Sequence, residues 1–243
     1  MARRTPLPVL RGSGRGLRFR FGESNLSRAV RPAEVRVENE LLGALAPGDV
    51  LYDIGANIGW YTVLAARKVG PEGHVIAFEP GVENAAHVVG NAATNRLSNV
   101  TVVAAAVSDR DGWASFLENG SLQSRLDKAD DEAQAKRHAA RKHRFHRTLS
   151  VPVLTLDSWI AETGQAPPSV IKVDIEGGEI GALRGMEATL AAAGPTLIIE
   201  LHATRDAVLD LLDGFGYEHE AIDFDGPSRQ AHWNAHVLAR PRR

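Results

Sequence analysis

Cysteine is missing from all 243 residues of this chain. Its absence excludes a disulfide framework, a thiolate nucleophile and a cysteine-ligated metal site, and it fits a reducing compartment, so we expect a cytoplasmic protein. Long apolar runs are also missing: no stretch approaches the ~20 residues that a membrane helix needs, and no apolar signal core follows the basic start. The chain also lacks an excess of one charge sign, because 28 Lys and Arg nearly balance 30 Asp and Glu. We therefore expect neither a membrane nor a nucleic acid as the main partner.

The residues that are present describe an ordinary globular chain with a repeating order of elements. The hydrophobic fraction is 44% and the charged fraction 24%, enough for one α/β domain with a substantial core. Apolar runs alternate with amphipathic stretches, which predicts a mostly parallel sheet with helices on both faces. The predicted strands are 50–54, 74–78, 100–105, 170–175, 196–201, 218–222 and 236–239, and the predicted helices are 33–45, 61–69, 82–94, 179–192 and 206–214.

Two regions fall outside this alternation. Residues 1–32 are rich in Arg, Gly and Pro at their start, and we interpret them as an N-terminal arm or hairpin before a main domain over 33–243. That domain carries an insertion at about 120–150, where acids precede bases along 125–147. This order complements a helix macrodipole and predicts an inserted helix, either as a solvated face or as a lid. Its basic part, 136–147, keeps a nucleic-acid-binding protein open as a rival function.

The most informative stretch, Asp53-Ile-Gly-Ala-Asn-Ile-Gly59, connects a predicted buried strand to a helix. Gly55 and Gly59 let a ligand approach the backbone, and Asn57 places a polar side chain between them. Asp53, at the lip of the loop, would repel a pyrophosphate but could hold an ammonium group. The pattern therefore favours S-adenosylmethionine over a dinucleotide.

An acid also ends the second predicted strand. Glu79 lies where an acidic side chain can accept hydrogen bonds from both ribose hydroxyls. Two alternatives stay open here. Asp53 and Glu79 could simply cap neighbouring helices, or the chain could be an NAD-dependent oxidoreductase on a similar sheet.

Six motifs follow one another in a characteristic order. They are Asp53-Ile-Gly-Ala-Asn-Ile-Gly59, Phe78-Glu-Pro80, Val107-Ser-Asp109, Thr155-Leu-Asp157, Ile171-Lys-Val-Asp-Ile-Glu-Gly177 and Ile199-Glu-Leu-His202. Over roughly residues 34–240 the chain thereby resembles the FkbM-type methyltransferases. The resemblance implies a class I (Rossmann-like) fold, in which a seven-stranded sheet has a final antiparallel strand. It also implies methyl transfer from S-adenosylmethionine, usually to oxygen and often on a sugar or natural product.

The same resemblance assigns roles to the residues around the loop. The methionine end of the donor would be lined by Asp53, Gly55, Asn57 and Gly59. Glu79 would bind the ribose, and Ser108 and Asp109 would lie near the adenine. A plain turn is the alternative interpretation of Ser108 and Asp109.

A second polar cluster is predicted where strands four and five end. Alternate strand residues share a face, so Asp174 and Glu176 should point the same way, as should Glu200 and His202. These four are the candidates for base or hydroxyl orienter, with His202 as the better base and Glu200 as its orienter. Glu176 could equally bind the acceptor hydroxyls, and we interpret Glu179 as a helix N-terminal charge.

Two other interpretations of this second cluster stay open. His202, or the pair of Lys172 and Asp174, could be purely structural. Asp174, Glu200 and His202 could instead hold Mg²⁺ or Mn²⁺.

We therefore expect an O-methyltransferase acting on a small-molecule acceptor, a sugar or a glycosylated or natural-product metabolite. N-methylation of a protein or small amine, which needs no strong base, is another alternative. The sequence also leaves open a homodimer. Of the four tryptophans, Trp233 could face the acceptor.

Overall fold

A computed structural model describes residues 5–21, 34–119, 124–126 and 146–242 of the protein. Its strands are β1 Leu7–Pro8, β2 Arg18–Phe19, β3 Val50–Ile54, β4 His74–Phe78, β5 Val100–Val103, β6 Ala106–Val107, β7 Gly112–Asn119, β8 Ser124–Leu126, β9 His146–Leu154, β10 Val170–Val173, β11 Thr196–Glu200, β12 Tyr217–Ala221 and β13 His236–Pro241. Its α-helices are α1 Val35–Gly43, α2 Trp60–Val69, α3 Val82–Thr94, α4 Leu156–Thr163, α5 Glu179–Arg184, α6 Glu187–Ala193 and α7 Arg205–Gly214. A short 3₁₀ helix covers Ser228–Gln230.

Seven strands form the central sheet, in the order β12-β13-β11-β10-β3-β4-β5. The five strands from β11 to β5 are parallel, and β13 pairs antiparallel with both β11 and β12. This confirms the predicted mostly parallel sheet with a closing antiparallel strand. The strand order reverses between β3 and β10, which is where open α/β sheets bind ligands beyond the carboxyl ends of their strands.

Side-chain alternation splits the core into two layers. Tyr52 and Ile54 join the cluster that includes α5 to α7, whereas Leu51 joins the cluster beneath α1 and α2. Asp53 has the same parity as Leu51 and faces α2, and its register partner on β10 is Lys172. A buried acid and a buried lysine therefore lie side by side under α2.

Two elements end earlier than the sequence predicts. The helix predicted over 179–192 is divided into α5 and α6, because Gly185 packs so closely that a Cβ atom there would lie 1.8 Å from the Ser108 carbonyl oxygen. Strand β10 ends at Val173, so Glu176 lies in a turn with φ of 53° rather than on the strand. Strand alternation therefore does not explain where Glu176 points.

The predicted insertion is flanked by a second sheet of four strands, in the order β6-β9-β7-β8. Most of the predicted inserted helix over 125–147 lies outside the described residues, including nearly all of the basic stretch 136–147. The backbone that is described at both ends of this segment is strand, in β8 and β9. The second sheet adjoins the turn after β4, because a Cβ atom at Gly81 would lie 3.6 Å from the Phe116 ring.

The N-terminal residues 5–21 form the predicted hairpin, with β1 and β2 paired antiparallel. Its aromatic side chains lie on the start of α2, where the ring centroids of Phe19 and Trp60 are 5.0 Å apart. Asn91 of α3 accepts a hydrogen bond from the Arg20 N–H and donates one to the Ile58 carbonyl. The hairpin therefore shares the core of the main domain. In the part of the chain that the structure describes, no helix is long and apolar enough to cross a membrane.

Candidate active site

The loop after β3 turns through three left-handed residues. Gly55, Asn57 and Gly59 have φ angles of 82°, 54° and 82°. Gly55 has a second constraint, because a Cβ atom there would lie 2.0 Å from the Asp174 carbonyl oxygen. Only glycine permits this approach, which packs the loop directly against the residue that follows β10.

Every backbone N–H of this loop already has a partner within the protein. The N–H groups of Gly55 and Ala56 donate to the Phe78 carbonyl, that of Asn57 to Glu79, that of Ile58 to the Asn57 side chain, and that of Gly59 to the Ala56 carbonyl. A phosphate would need some of these donors to be free. The loop is therefore saturated, which disfavours a dinucleotide and suits a ligand without phosphate at this position.

Asp53 does not lie at the lip of the loop, contrary to the prediction. Its side chain is 0% exposed and accepts a hydrogen bond from Thr62 of α2 at 2.5 Å. Its other oxygen lies 3.9 Å from Lys172 Nζ and has no hydrogen bond. Burial raises the pKa of Asp53, against the opposing effects of Lys172 and Thr62. The side chain faces α2 by strand alternation, so Asp53 supports the loop from beneath.

Glu79 is buried at the end of β4 and is fixed by the neighbouring backbone. One oxygen accepts from the Asn57 N–H and the other from the Gly81 N–H, each at 2.8 Å. Burial raises the pKa of Glu79 to about 7, although these N–H groups lower it. The carboxylate is thus held rigidly beside the loop, with lone pairs left for further donors.

Ser108 and Asp109 follow β6 of the second sheet and face helix α5. A Cβ atom at Gly181 would lie 2.9 Å from Ser108 Oγ and 3.7 Å from the Asp109 nitrogen. The Asp109 carboxylate also pairs with Arg110 at 3.5 Å. The two residues therefore form a turn against the helix that follows Asp174 and Glu176, and their predicted contact with adenine stays a prediction.

Lys172 supplies the buried positive charge of the site. Its ammonium group lies 3.0 Å from Asp174 and 4.8 Å from the centroid of the Tyr61 ring. Burial lowers the pKa of Lys172, but Asp174 and Asp53 outweigh it and raise the pKa. Burial alone would raise the pKa of Asp174, yet Lys172 and His202 lower it. The buried ammonium group of Lys172 on β10 is therefore paired with acids, as its desolvation requires.

The turns after β10 and β11 share an unusual backbone. Glu176 has a positive φ of 53°, and His202 and Ala203 have φ angles of 38° and 67°. With Asn57 they account for four of the five non-glycine residues in the described part of the chain that have positive φ; the fifth is Arg96. Such conformations cost of order 1–3 kcal/mol each and concentrate at functional sites.

His202 lies at the centre of a carboxylate cluster. Its Nδ1 is 3.0 Å from Glu179, and its Nε2 is 3.4 Å from Glu200 and 3.8 Å from both Asp174 and Glu176. The structure therefore brings together all four predicted catalytic residues.

The group that orients the imidazole is Glu179, not Glu200 as predicted. Glu179 is 0% exposed, and it also accepts hydrogen bonds from the Gly177 N–H and the Thr204 hydroxyl. Glu179 is the first residue of α5, which agrees with its interpretation as a helix N-terminal charge, but that interpretation omits its contact with His202. The sequence around Glu179 does not distinguish an acid that holds His202 from an acid that only adds charge to the helix N-terminus.

The carboxylates decide the protonation of this cluster. Burial lowers the pKa of His202, but the hydrogen bond to Glu179 and the charges of Glu200 and Asp174 outweigh it and raise the pKa to about 9. Burial, together with repulsion from Asp174, raises the pKa of Glu200 to about 8. At neutral pH the imidazole is therefore a cation and Glu200 is largely protonated, which differs from the neutral histidine base that we predicted.

A second histidine completes the cluster and was missed by the sequence reasoning. His236 of β13 is the register partner of Glu200, and its Nε2 lies 3.5 Å from the other Glu200 oxygen. Its Nδ1 lies 2.8 Å from Asp223. The only sequence signal was the position of His236 at the start of a predicted closing strand, and the pairing of β13 with β11 gives it a role.

One group of described residues could hold a metal ion. The ligand atoms of Asp174, Glu200 and His202 all lie within 4.8 Å of one another. His202 Nδ1 donates its hydrogen bond to Glu179, which leaves Nε2 facing the group, the usual arrangement for a metal-binding histidine. Lys172 already compensates part of the negative charge.

Comparison with known proteins shows the family of this chain. The family description "Methyltransferase FkbM domain" matches residues 53–221. The chain is 26% identical over 197 residues to the hexuronic acid methyltransferase AglP of Haloferax volcanii, covering 79% of this chain and 73% of that protein. It is 29% identical over 197 residues to the 31-O-demethyl-FK506 methyltransferase FkbM of Streptomyces tacrolimicus, covering 71% and 74%.

Solved structures show the same fold. The methyltransferase FkbM from Methylobacillus flagellatus superposes with a TM-score of 0.51 at 20% identity, over 79% of this chain and 43% of that chain. This chain thus spans less than half of that solved protein. Other solved methyltransferases with this fold contain S-adenosylmethionine or S-adenosylhomocysteine. The saturated loop, the acid after β4 and the family match together identify the chain as a member of the FkbM methyltransferase family, dependent on S-adenosylmethionine.

Proposed function

We propose that this enzyme transfers a methyl group from S-adenosylmethionine to a hydroxyl of a sugar or of a sugar-bearing or related natural product. The observation that carries the proposal is the carboxylate cluster around His202, which Gly55 joins to the cofactor loop through its contact with the Asp174 carbonyl. The relatives support it, because one is named for hexuronic acid and the other for an oxygen position.

The donor binds over the loop 55–59, with its ribose hydroxyls on Glu79. The residues fit this group for two reasons: the loop offers no phosphate donors, and the carboxylate of Glu79 is fixed by two backbone N–H groups. When bound, S-adenosylmethionine supplies a methyl group that is already activated on a sulfonium. Gly55, Asn57 and Gly59 shape the surface on which its methionine end lies, and Ser108 and Asp109 border the adenine.

The acceptor hydroxyl faces carboxylates rather than the imidazole. Glu200 is 17% exposed and His202 only 8%, so Glu200 is the more accessible proton acceptor. S-Adenosylmethionine held on the loop 55–59 would supply the methyl group: its carbon–sulfur bond would break as the hydroxyl oxygen bonds the methyl carbon, and S-adenosylhomocysteine would leave. The hydroxyl proton would pass to the ionised form of Glu200, which predominates above pH about 8 because burial and Asp174 raise the pKa of Glu200 to about 8. The charge of His202 holds Glu200 in place, while Asp174 and Glu176 orient the hydroxyl. A base in reach contributes about 10²–10⁴ in rate, and alignment contributes roughly 7–11 kcal/mol.

A divalent cation held by Asp174, Glu200 and His202 is the second candidate for this half of the site, favoured by the spacing of their ligand atoms. Magnesium or manganese there would polarise the hydroxyl and lower its pKa. Incubation with a chelator, followed by calorimetric titration with Mn²⁺, decides between the two. Binding with one-to-one stoichiometry that Asp174→Asn abolishes would favour the metal.

The proposed function is tested by incubating the protein with isotope-labelled S-adenosylmethionine and a metabolite extract, and by locating the label with mass spectrometry. We expect donor-dependent label on a carbohydrate hydroxyl, lost in Glu200→Gln. Label on nitrogen that persists in Glu200→Gln would instead establish N-methylation, which needs no strong base.

A further inference from the structure

Trp233 is an exposed tryptophan held at the rim of the carboxylate cluster. Its side chain is 65% exposed, whereas most large apolar side chains of the described residues are buried. A large exposed aromatic ring is informative because burying it would stabilise the fold. Among the described tryptophans only Trp113 is comparably exposed, at 70%, and it lies on β7 of the second sheet.

The backbone fixes Trp233 next to His202. The antiparallel pairing of β11 with β13 continues past the strand ends through two more hydrogen bonds. The Leu201 N–H donates to the Ala235 carbonyl at 3.0 Å, and the Ala203 N–H donates to the Trp233 carbonyl at 2.7 Å. These bonds flank His202 on both sides, so the loop that carries Trp233 and the His202 turn form one unit.

The loop that carries Trp233 is fixed by hydrogen bonds within the protein. Arg205 donates to the Ala231 carbonyl at 2.6 Å, and the Ala235 N–H donates to the His232 carbonyl at 3.1 Å. His232 Nδ1 lies 3.0 Å from Asn234 Oδ1. The residues before and after Trp233 are therefore joined to each other, and the loop needs little ordering on binding, which lowers the entropic cost of binding.

We propose that Trp233 is the platform on which the sugar ring of the acceptor stacks, an inference that rests on the proposed function of the site. A pyranose has one face of C–H groups and a perimeter of hydroxyls. The C–H face packs on the indole, while a perimeter hydroxyl reaches Glu200 and its neighbours. This combination of one aromatic face and several carboxylate acceptors fits a sugar better than a flat aromatic or an acyl chain.

The test measures sugar binding without requiring methyl transfer. Saturation-transfer NMR on the protein loaded with S-adenosylhomocysteine uses methyl glucoside and methyl glucuronide, which share the same ring, as probes. We expect ring C–H signals with the wild-type protein and with Trp113→Ala. They should fall at least fivefold in Trp233→Ala and recover largely in Trp233→Phe, which keeps an aromatic face.

Unchanged signals in Trp233→Ala, or no signal from either probe with the wild-type protein, would overturn the platform. Calorimetric affinity for S-adenosylhomocysteine controls for folding and should be the same in all variants; a loss confined to Trp233→Ala would make Trp233 a donor-side residue instead. The two proposals fail separately. If the sugar signal depends on Trp233 but no methyl group is transferred, only the proposed function is refuted. If a sugar is methylated but its binding does not depend on Trp233, only the platform is refuted.

Discussion

The two halves that we propose for this site, the loop 55–59 with Glu79 for the donor and the cluster around His202 for the acceptor, lie at the same sheet edge but differ in character. On the donor side, the loop 55–59 has all its N–H groups bonded, and its two acids, Asp53 and Glu79, are buried. On the acceptor side, Asp174, Glu176 and Glu200 stay partly exposed around one imidazole. The first half is saturated and recognises shape, whereas the second keeps acceptor capacity that a reaction can use.

The two halves also differ in which residues have a strained backbone. The donor loop has glycine at two of its three left-handed positions and Asn57 at the third, whereas the acceptor turns place Glu176, His202 and Ala203, as well as Gly177, in positive-φ conformations. At Glu176 and His202 the side chains belong to the cluster, so these positions keep a side chain despite the strained backbone. A preformed surface suits a cofactor that every reaction cycle shares, and a charged cluster suits proton removal.

The largest effect should come from Gly55→Ala, because Gly55 is where the loop 55–59 packs against the backbone of Asp174. The new methyl group would overlap the Asp174 carbonyl, in addition to the cost of a left-handed alanine. We expect loss of binding of S-adenosylhomocysteine and a stability loss of about 3 kcal/mol or more. Gly70→Ala is the matched control, because Gly70 has φ of 71° and open space around it. It should cost only about 1–2 kcal/mol in a denaturant titration. Equal losses would contradict the close packing.

Glu200→Gln should lower the catalytic rate without weakening donor binding. It removes the proposed proton acceptor while keeping its volume, so kcat should fall by about 10²–10⁴. Affinity for S-adenosylhomocysteine, measured by calorimetry, should change less than twofold. Glu218→Gln, on the exposed surface of β12, serves as the control and should leave both quantities unchanged. A variant that loses donor affinity as strongly as rate would place Glu200 in the donor half.

Glu179→Gln tests whether the buried acid positions His202. The amide removes the charge that faces Nδ1 and disturbs three hydrogen bonds, so we expect a stability loss of about 1–3 kcal/mol and a lower kcat at unchanged donor affinity. Glu187→Gln, in the first turn of α6, is the comparison. If Glu179 were only a helix-end charge, both variants would lose the same ~0.3–1 kcal/mol in thermal unfolding.

The smallest effect should be the change with pH in the affinity for S-adenosylhomocysteine. The pKa of Glu79 is about 7, and the ribose hydroxyls need its ionised form as acceptor. Lowering the pH protonates Glu79, so affinity for S-adenosylhomocysteine should fall about tenfold from pH 8 to pH 6. Calorimetry at both pH values measures this change. Glu79→Gln should bind S-adenosylhomocysteine weakly and with the same affinity at both pH values. If the affinity of this variant still changed with pH as in the wild-type protein, another group would cause the pH dependence.

Much of the fold followed from local patterns. The strands Val50–Ile54 and His74–Phe78 and the helix Val82–Thr94 have the predicted bounds, because apolar runs and glycine or proline breaks mark them. The four-stranded second sheet was missed, since its strands pair across the insertion and single segments do not reveal such pairing. The break at Gly185 depends on contact with Ser108, which no local pattern encodes.

The candidate residues were predictable as a set but not in their arrangement. Asp174, Glu200 and His202 converge as expected, because parallel strands end at one edge. Their partners came from elsewhere: Glu179 from the next helix and His236 from an antiparallel strand.

The sequence by itself determined the family, the class I sheet and the residues that line its carboxyl edge, because these depend on periodicity and on motifs that are local. Only the tertiary structure decided that Asp53 lies beneath the loop, that Glu179 holds His202, and that the imidazole carries a proton among carboxylates. Burial and charge depend on which side chains meet across elements, and those meetings exist only once the chain is folded.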